Sequence, residues 1–225
     1  MLWSKAIGAG GAGGAGGDGV TLNYELFQNS VTTTTFPIPT GVAGNLAIVS
    51  YTGLYLYMPT LPAGWTQIYY NSNVGANRQA HRIMYKVLTE ADEGTNVTIY
   101  VTTSLSADYG TVYLKTFSIP PSLSSVNISS LNADIVPFAS TTAVTSGLPG
   151  SSIIVATGST YSGSTVPQSY SDETYWDVID KSTASFVSTV FALEIQETLK
   201  TNRDILAVFQ TGSNGISVSF VLTLS

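Results

Sequence analysis

Gly44-Asn45-Leu46-Ala47-Ile48-Val49-Ser50-Tyr51 is followed, after a short interval, by Pro62-Ala63-Gly64-Trp65-Thr66. Leu46 to Tyr51 is a short apolar run of the kind that fills a strand buried in a sandwich. The second stretch is a turn that delivers a large ring. Proline presets φ, glycine permits a positive φ, and Trp65 can fold back as a core plug. Gly64 and Trp65 are therefore the expected core framework. Gln67-Ile68-Tyr69-Tyr70 resumes strand character at once.

Outward from this stretch the chain reads as strands and turns. Strands are expected over 21–27, 46–51, 66–71, 82–88, 97–102 and 111–119, then over 140–144, 153–157, 175–179, 186–194, 205–210 and 216–224. Alternation is plain in Val97-Thr98-Ile99-Tyr100-Val101 and in Ile216-Ser217-Val218-Ser219-Phe220. Asp108-Tyr109-Gly110 and Ser213-Asn214-Gly215 are turn signals. Only 90–93 and 197–202 offer a single helical turn. The expected fold is all-β, a jelly-roll-like antiparallel β-sandwich.

The chain echoes itself. Gly44 to Val49 resembles Gly150 to Val155 at a displacement of 106 residues, and Gly110 falls on Gly215 at 105. Two similar halves are expected, about 20–120 and 138–225, either as two Greek keys of one jelly roll or as two small sandwiches in tandem. The join from Ile119 to Pro137 holds Leu123, Val126, Ile128, Leu131 and Ile135, too apolar for a free linker. One domain over 20–225 with a packed crossover is the preferred arrangement.

Residues 1–19 stand apart as a glycine-rich N-terminal arm. Ala9, Ala12, Ala15 and Asp18 recur at every third position, the period of an extended polyproline-II helix. The tract suits a flexible linker or an arm laid on neighbouring subunits. On the second view Leu2, Trp3, Ile7, Ala9, Ala12 and Ala15 make the attachment contact, with Trp3 as anchor.

Composition narrows the function. Of 225 residues, 44% are hydrophobic, enough for a sizeable core, and only 10% are charged, against about 25% in an ordinary soluble domain. A net charge of −6 and an isoelectric point near 4.5 oppose nucleic-acid binding. There is no cysteine, hence no disulfide frame or thiolate metal site. Neither a signal peptide's apolar segment nor a membrane span is visible, so the chain is expected to stay soluble in the cell that makes it.

Catalytic candidates are few. His81 is the lone histidine, between Arg78 and Arg82. With no orienting carboxylate or nucleophile in view, it reads as a surface position at a strand end. Asp172, Glu173, Asp177 and Asp180 cluster without a calcium-loop spacing and read as a solvated acidic loop. Asn96-Val97-Thr98 and Asn127-Ile128-Ser129 match the glycosylation pattern. No cofactor, metal or catalytic residue is expected.

Gly44-Asn45-Leu46-Ala47-Ile48-Val49, Pro62-Ala63-Gly64-Trp65-Thr66, Met84-Tyr85-Lys86-Val87 and Val97-Thr98-Ile99, in that order, resemble a β-sandwich module of tailed-bacteriophage virion proteins. There a "GDLL" strand precedes a "PPGWT" turn, a "YYK" strand and a "YTFT" strand. The resemblance covers roughly 40–120, departing at Asn45 and Leu61. It implies a virion location and a non-enzymatic structural role, as an exposed capsid decoration or head-fibre subunit held by its arm. Other copies of the chain, a trimer being the expected closed form, and other virion proteins are the implied partners. The alternative is a receptor-binding module on a tail or neck fibre. In that case Tyr55, Tyr57 and Tyr109, with Tyr51 beside them, offer a surface for host carbohydrate. The glycosylation matches are incidental in a protein made in bacteria.

Overall fold

A strand covered on both faces shows an unbroken apolar run instead of alternation, and the run at Leu46 sits in such a place. The computed structural model describes residues 2–5, 20–30, 34–54, 61–74, 79–99, 110–120, 125–134, 152–161, 169–170, 178–184, 187–196, 207–208 and 215–224. Its elements are β1 (Leu2–Lys5), β2 (Thr21–Ser30), β3 (Thr34–Pro37), β4 (Leu46–Leu54), β5 (Thr66–Val74), β6 (Gln79–Val87), a 3₁₀ turn (Glu90–Asp92), β7 (Asn96–Ile99) and β8 (Gly110–Ser118). There follow β9 (Val126–Asp134), β10 (Ser152–Tyr161), β11 (Ser169–Tyr170), β12 (Val178–Ala184), β13 (Val187–Gln196), β14 (Ala207–Val208) and β15 (Gly215–Leu224).

The chain is all-β, with antiparallel sheets. The first sheet runs β1-β2-β8-β4-β6-β5 and the second β9-β15-β10-β13-β12. Leu46, Ile48, Ile83, Tyr113 and Phe117 of the first meet Ile153, Val155, Val218, Phe220 and Leu222 of the second in one buried core. Fully burying such side chains contributes about 1.5–3 kcal/mol each. The opposite face of the first sheet carries another core. There Ala47, Val49, Met84, Val112 and Leu114 pack with Phe36, Ile38 and Trp65, and Val97 of β7 closes on them. The two-stranded sheet β3-β7 thus contributes to a covering layer. β4 is buried on both faces and hydrogen-bonded on both edges.

The expected antiparallel β-sandwich is present, and its halves correspond. Here each half fills one sheet, and the order β2-β8-β4-β6-β5 repeats as β9-β15-β10-β13-β12. A β-bulge marks the equivalence. The ladder of β2 with β8 slips between Leu22 and Tyr24, and that of β9 with β15 slips at Ile128 and Ser130. A displacement of 106 carries Leu22, Asn23 and Tyr24 onto Ile128, Ser129 and Ser130. One of 105 carries Phe117 and Thr116 onto their counterparts Leu222 and Val221. In the central strands, 107 carries Leu46, Ile48 and Ser50 onto Ile153, Val155 and Thr157, all facing the shared interior. The echo at 106 is thus one residue out for β4, and one residue in a strand exchanges the two faces.

Three expectations need correction. The join at 119–137 contains β9, so the second half begins at its first strand and not at 138. Leu2–Lys5 does not stand off as an arm but forms β1, paired with β2. Neither β3 nor β11 was anticipated. The expected strand at 140–144 and the helical turn at 197–202 lie outside the described residues, whereas the turn at 90–93 is present as 3₁₀.

Candidate functional site

In the shared interior one polar chain crosses between the sheets. Ser50 Oγ lies 3.0 Å from His81 Nε2 and 2.9 Å from Thr157 Oγ1. β4 and β6 place Thr52 opposite His81, so Ser50 reaches the ring diagonally. The Tyr69 ring stands edge-on to it, with centroids 6.1 Å apart. His81 is completely buried, Ser50 and Thr157 nearly so, and burial lowers the His81 pKa to about 3. His81 Nδ1 meets no hydrogen-bond partner among the described residues.

His81 is therefore not the surface residue its flanking arginines suggested. Alternation along β6 sends Arg82 to the other face, where its guanidinium lies 4.3 Å from the Tyr70 ring centroid, a cation–π contact. Ser50 and His81 have the spacing of a nucleophile and its base. The described geometry does not support that chemistry. The imidazole is a weak base when burial opposes its charge, no carboxylate holds Nδ1, and the hydroxyl sits inside a closed core. What the chain of hydrogen bonds does is fix alignment. A hydroxyl buried in an apolar interface is satisfied only where its partner stands opposite, and an unsatisfied one costs about 1–3 kcal/mol.

A second polar unit joins the residues of the virion-module resemblance. Gly64 has φ 78°, and a Cβ placed on it would lie 3.0 Å from Lys86 Nζ. Lys86 donates to Asp92 Oδ1 at 2.6 Å. Asp92 Oδ2 accepts from the Thr89 amide and hydroxyl, each at 2.8 Å. Burial raises the Asp92 carboxyl, but the bonds from Lys86 and Thr89 outweigh it and hold its pKa below the ordinary value. Next to it, Glu93 Oε1 accepts from the Val42 and Ala43 amides at 2.7 Å. Those bonds tie down the loop between Gly41 and Gly44, both at positive φ. Trp65 is buried, edge-to-face with Phe36 at 6.3 Å. It plugs the outer core, not the one between the sheets.

A third unit is an ion pair. Lys115 of β8, almost wholly buried, donates to Glu25 of β2. Register places Lys5 opposite Glu25 on its other side.

The remaining sequence candidates do not converge. Tyr51 is in the outer core, not on a ligand surface. Tyr55, Tyr57, Tyr109, Ile7, Ala9, Ala12, Ala15, Asp172, Glu173 and Asp177 lie outside the described residues. Leu2 and Trp3 are in β1, and Asp180 is in β12 opposite Phe191. Among the described residues no cluster of acids and histidine could hold a metal ion, and no helix is long and apolar enough to cross a membrane. Sequence reasoning missed the Ser50–Thr157 link. Its one signal was a lone serine amid an apolar run. Comparison with protein-family models, with curated proteins and with solved structures returns no match to this chain.

Proposed function

We propose that the chain is a non-enzymatic structural subunit of a tailed-bacteriophage virion, an exposed capsid decoration or head-fibre protein joined to its neighbours through the glycine-rich tract that follows β1. The observation that carries this reading is the convergence of the motif residues. The Gly64-Trp65 turn, Lys86 and the 3₁₀ turn are knit by contacts and hydrogen bonds into one framework beside the outer core. Residues that serve as framework in the resembling module serve as framework here. The one Ser–His pair is enclosed between the sheets, which suits a load-carrying body better than a catalyst. The low charge of the chain suits close packing among copies.

Quantitative mass spectrometry of purified particles tests the proposal. A decoration subunit is expected in hundreds of copies per particle. A handful of copies places the protein on a tail or neck fibre, and its absence from the particle overturns the virion reading.

A further inference from the structure

β2 and β9 are equivalent strands, yet among the described residues only one has a neighbour on its outer side. The edge of β2 is taken by β1, with Trp3 opposite Phe27 and Lys5 opposite Glu25. β9 ends the second sheet among the described residues. It exposes Ile128 at 38% and Leu131 at 42%, the large hydrophobic residues open to solvent among those described. The bulge puts both on one face. Ile128 pairs with Leu222 and Leu131 with Phe220, and Leu222 and Phe220 point into the same core. Without the unpaired Ser129 the two would fall on opposite faces. From Val126 to Ala133 the strand carries no charge. An edge with this composition, lacking lysine and proline, is an invitation to pair.

We propose that β9 pairs antiparallel with β9 of a second copy around a two-fold axis, continuing the second sheets of two molecules into one. The occupant follows from the patch. The position equivalent to Glu25 is Leu131, so a strand like β1 would bring Lys5 into register with a leucine in place of a carboxylate. A second β9 is self-complementary. Centring the axis between Ser129 and Ser130 sets Ile128 of each copy opposite Leu131 of the other, as an isologous contact requires. This contact goes beyond the virion reading, since it is a property of the isolated chain and does not use residues 1–19.

The test uses the full chain in solution. Light scattering across a concentration series is expected to show a dimer. Leu131→Lys is expected to weaken it at least tenfold while leaving the circular dichroism spectrum unchanged. The chain has no cysteine, so single cysteines report the axis directly. Ser130→Cys is expected to form a disulfide dimer on mild oxidation, and Asn127→Cys, far from the axis, is not. Should Leu131→Lys fold poorly, Leu131→Thr and the cysteine pair carry the same discrimination. A monomer at every concentration, a trimer, a dimer indifferent to Leu131→Lys, or crosslinking at 127 in preference to 130 overturns the proposal. So does a monomer whose β9 amides resist hydrogen exchange, which would mean that the chain covers its own edge.

Discussion

The two halves share a wiring and differ in what they do with it. The first sheet is sealed on its outer face by a core containing Trp65 and Phe36, and its β2 edge is closed by β1. The second repeats the five-strand order and the bulge but, among the described residues, leaves β9 at its end. At equivalent cross-strand positions the first half places a charged pair, Glu25 and Lys115, where the second places Leu131 and Phe220. Where β6 carries His81 opposite Thr52, β13 carries Thr189 opposite Ser159. Strand order and bulge position thus survive large changes of side-chain chemistry. Backbone pairing and the inward alternation of apolar residues set the architecture, and polar residues adjust it locally.

The most severe way to break the parity of the halves is at the outer core of the first. Trp65→Ala removes a buried ring that packs edge-on against Phe36. It is expected to cost about 3–5 kcal/mol, the range for aromatic deletions in cores. Urea denaturation checks this. A loss below about 1 kcal/mol would mean that the outer layer adds little to the first half.

The charged pair offers a sharper comparison, because the second half holds its own replacement. Lys115→Phe alone leaves Glu25 partly buried beside an apolar ring, and the cost of breaking such a pair is about 3 kcal/mol or more. Lys115→Phe combined with Glu25→Leu installs the pair of the second half. It is expected to recover most of that loss, since replacing both members of a buried ion pair by apolar residues is often neutral or better. A double variant no more stable than the single one would show that the first half needs the charges themselves, for instance to receive Lys5 of β1.

Much of the strand content was readable because β4, β8, β10 and β15 carry strong apolar runs or clean alternation. The Gly64-Trp65 turn was readable from its residue types. What escaped did so for identifiable reasons. In Val126-Asn127-Ile128-Ser129-Ser130-Leu131 the bulge breaks the period of two, so the sequence pattern of β9 reads as a crossover. β3 is four residues long and ends in Pro37. β1 is four residues followed by a glycine tract, which suggested separation from the body. The charged neighbours of His81 in sequence suggest a surface position, although in a strand the adjacent Arg82 belongs to the other face. The polar link of Ser50 to Thr157 spans 107 residues, and no local pattern carries such a pairing.

The mildest test concerns acid, and it turns on His81 against Thr189. Burial lowers the folded-state pKa of His81 to about 3 from 6.5, so the unfolded chain takes up the proton first as pH falls. Stability is therefore full above about pH 6.5, declines as pH drops below it, and levels off near the folded value. The slope is about 1.4 kcal/mol per pH unit for one proton, giving a loss on the order of 2 kcal/mol between pH 7 and pH 5. Among the described residues the Ser50 hydroxyl and the Tyr69 ring meet the imidazole, with Thr52 opposite it in register, and none of these titrates in that interval. Asp92 and Glu93, both held below their ordinary carboxylate values, lose their contributions only at lower pH, as they are protonated in the folded state. Urea midpoints at pH 7 and pH 5 should thus differ in the natural chain and coincide in His81→Thr, which carries the residue of the second half. If the variant keeps the slope, the acid-sensitive group lies elsewhere, and the polar chain between the sheets sets their alignment without making their union pH-dependent.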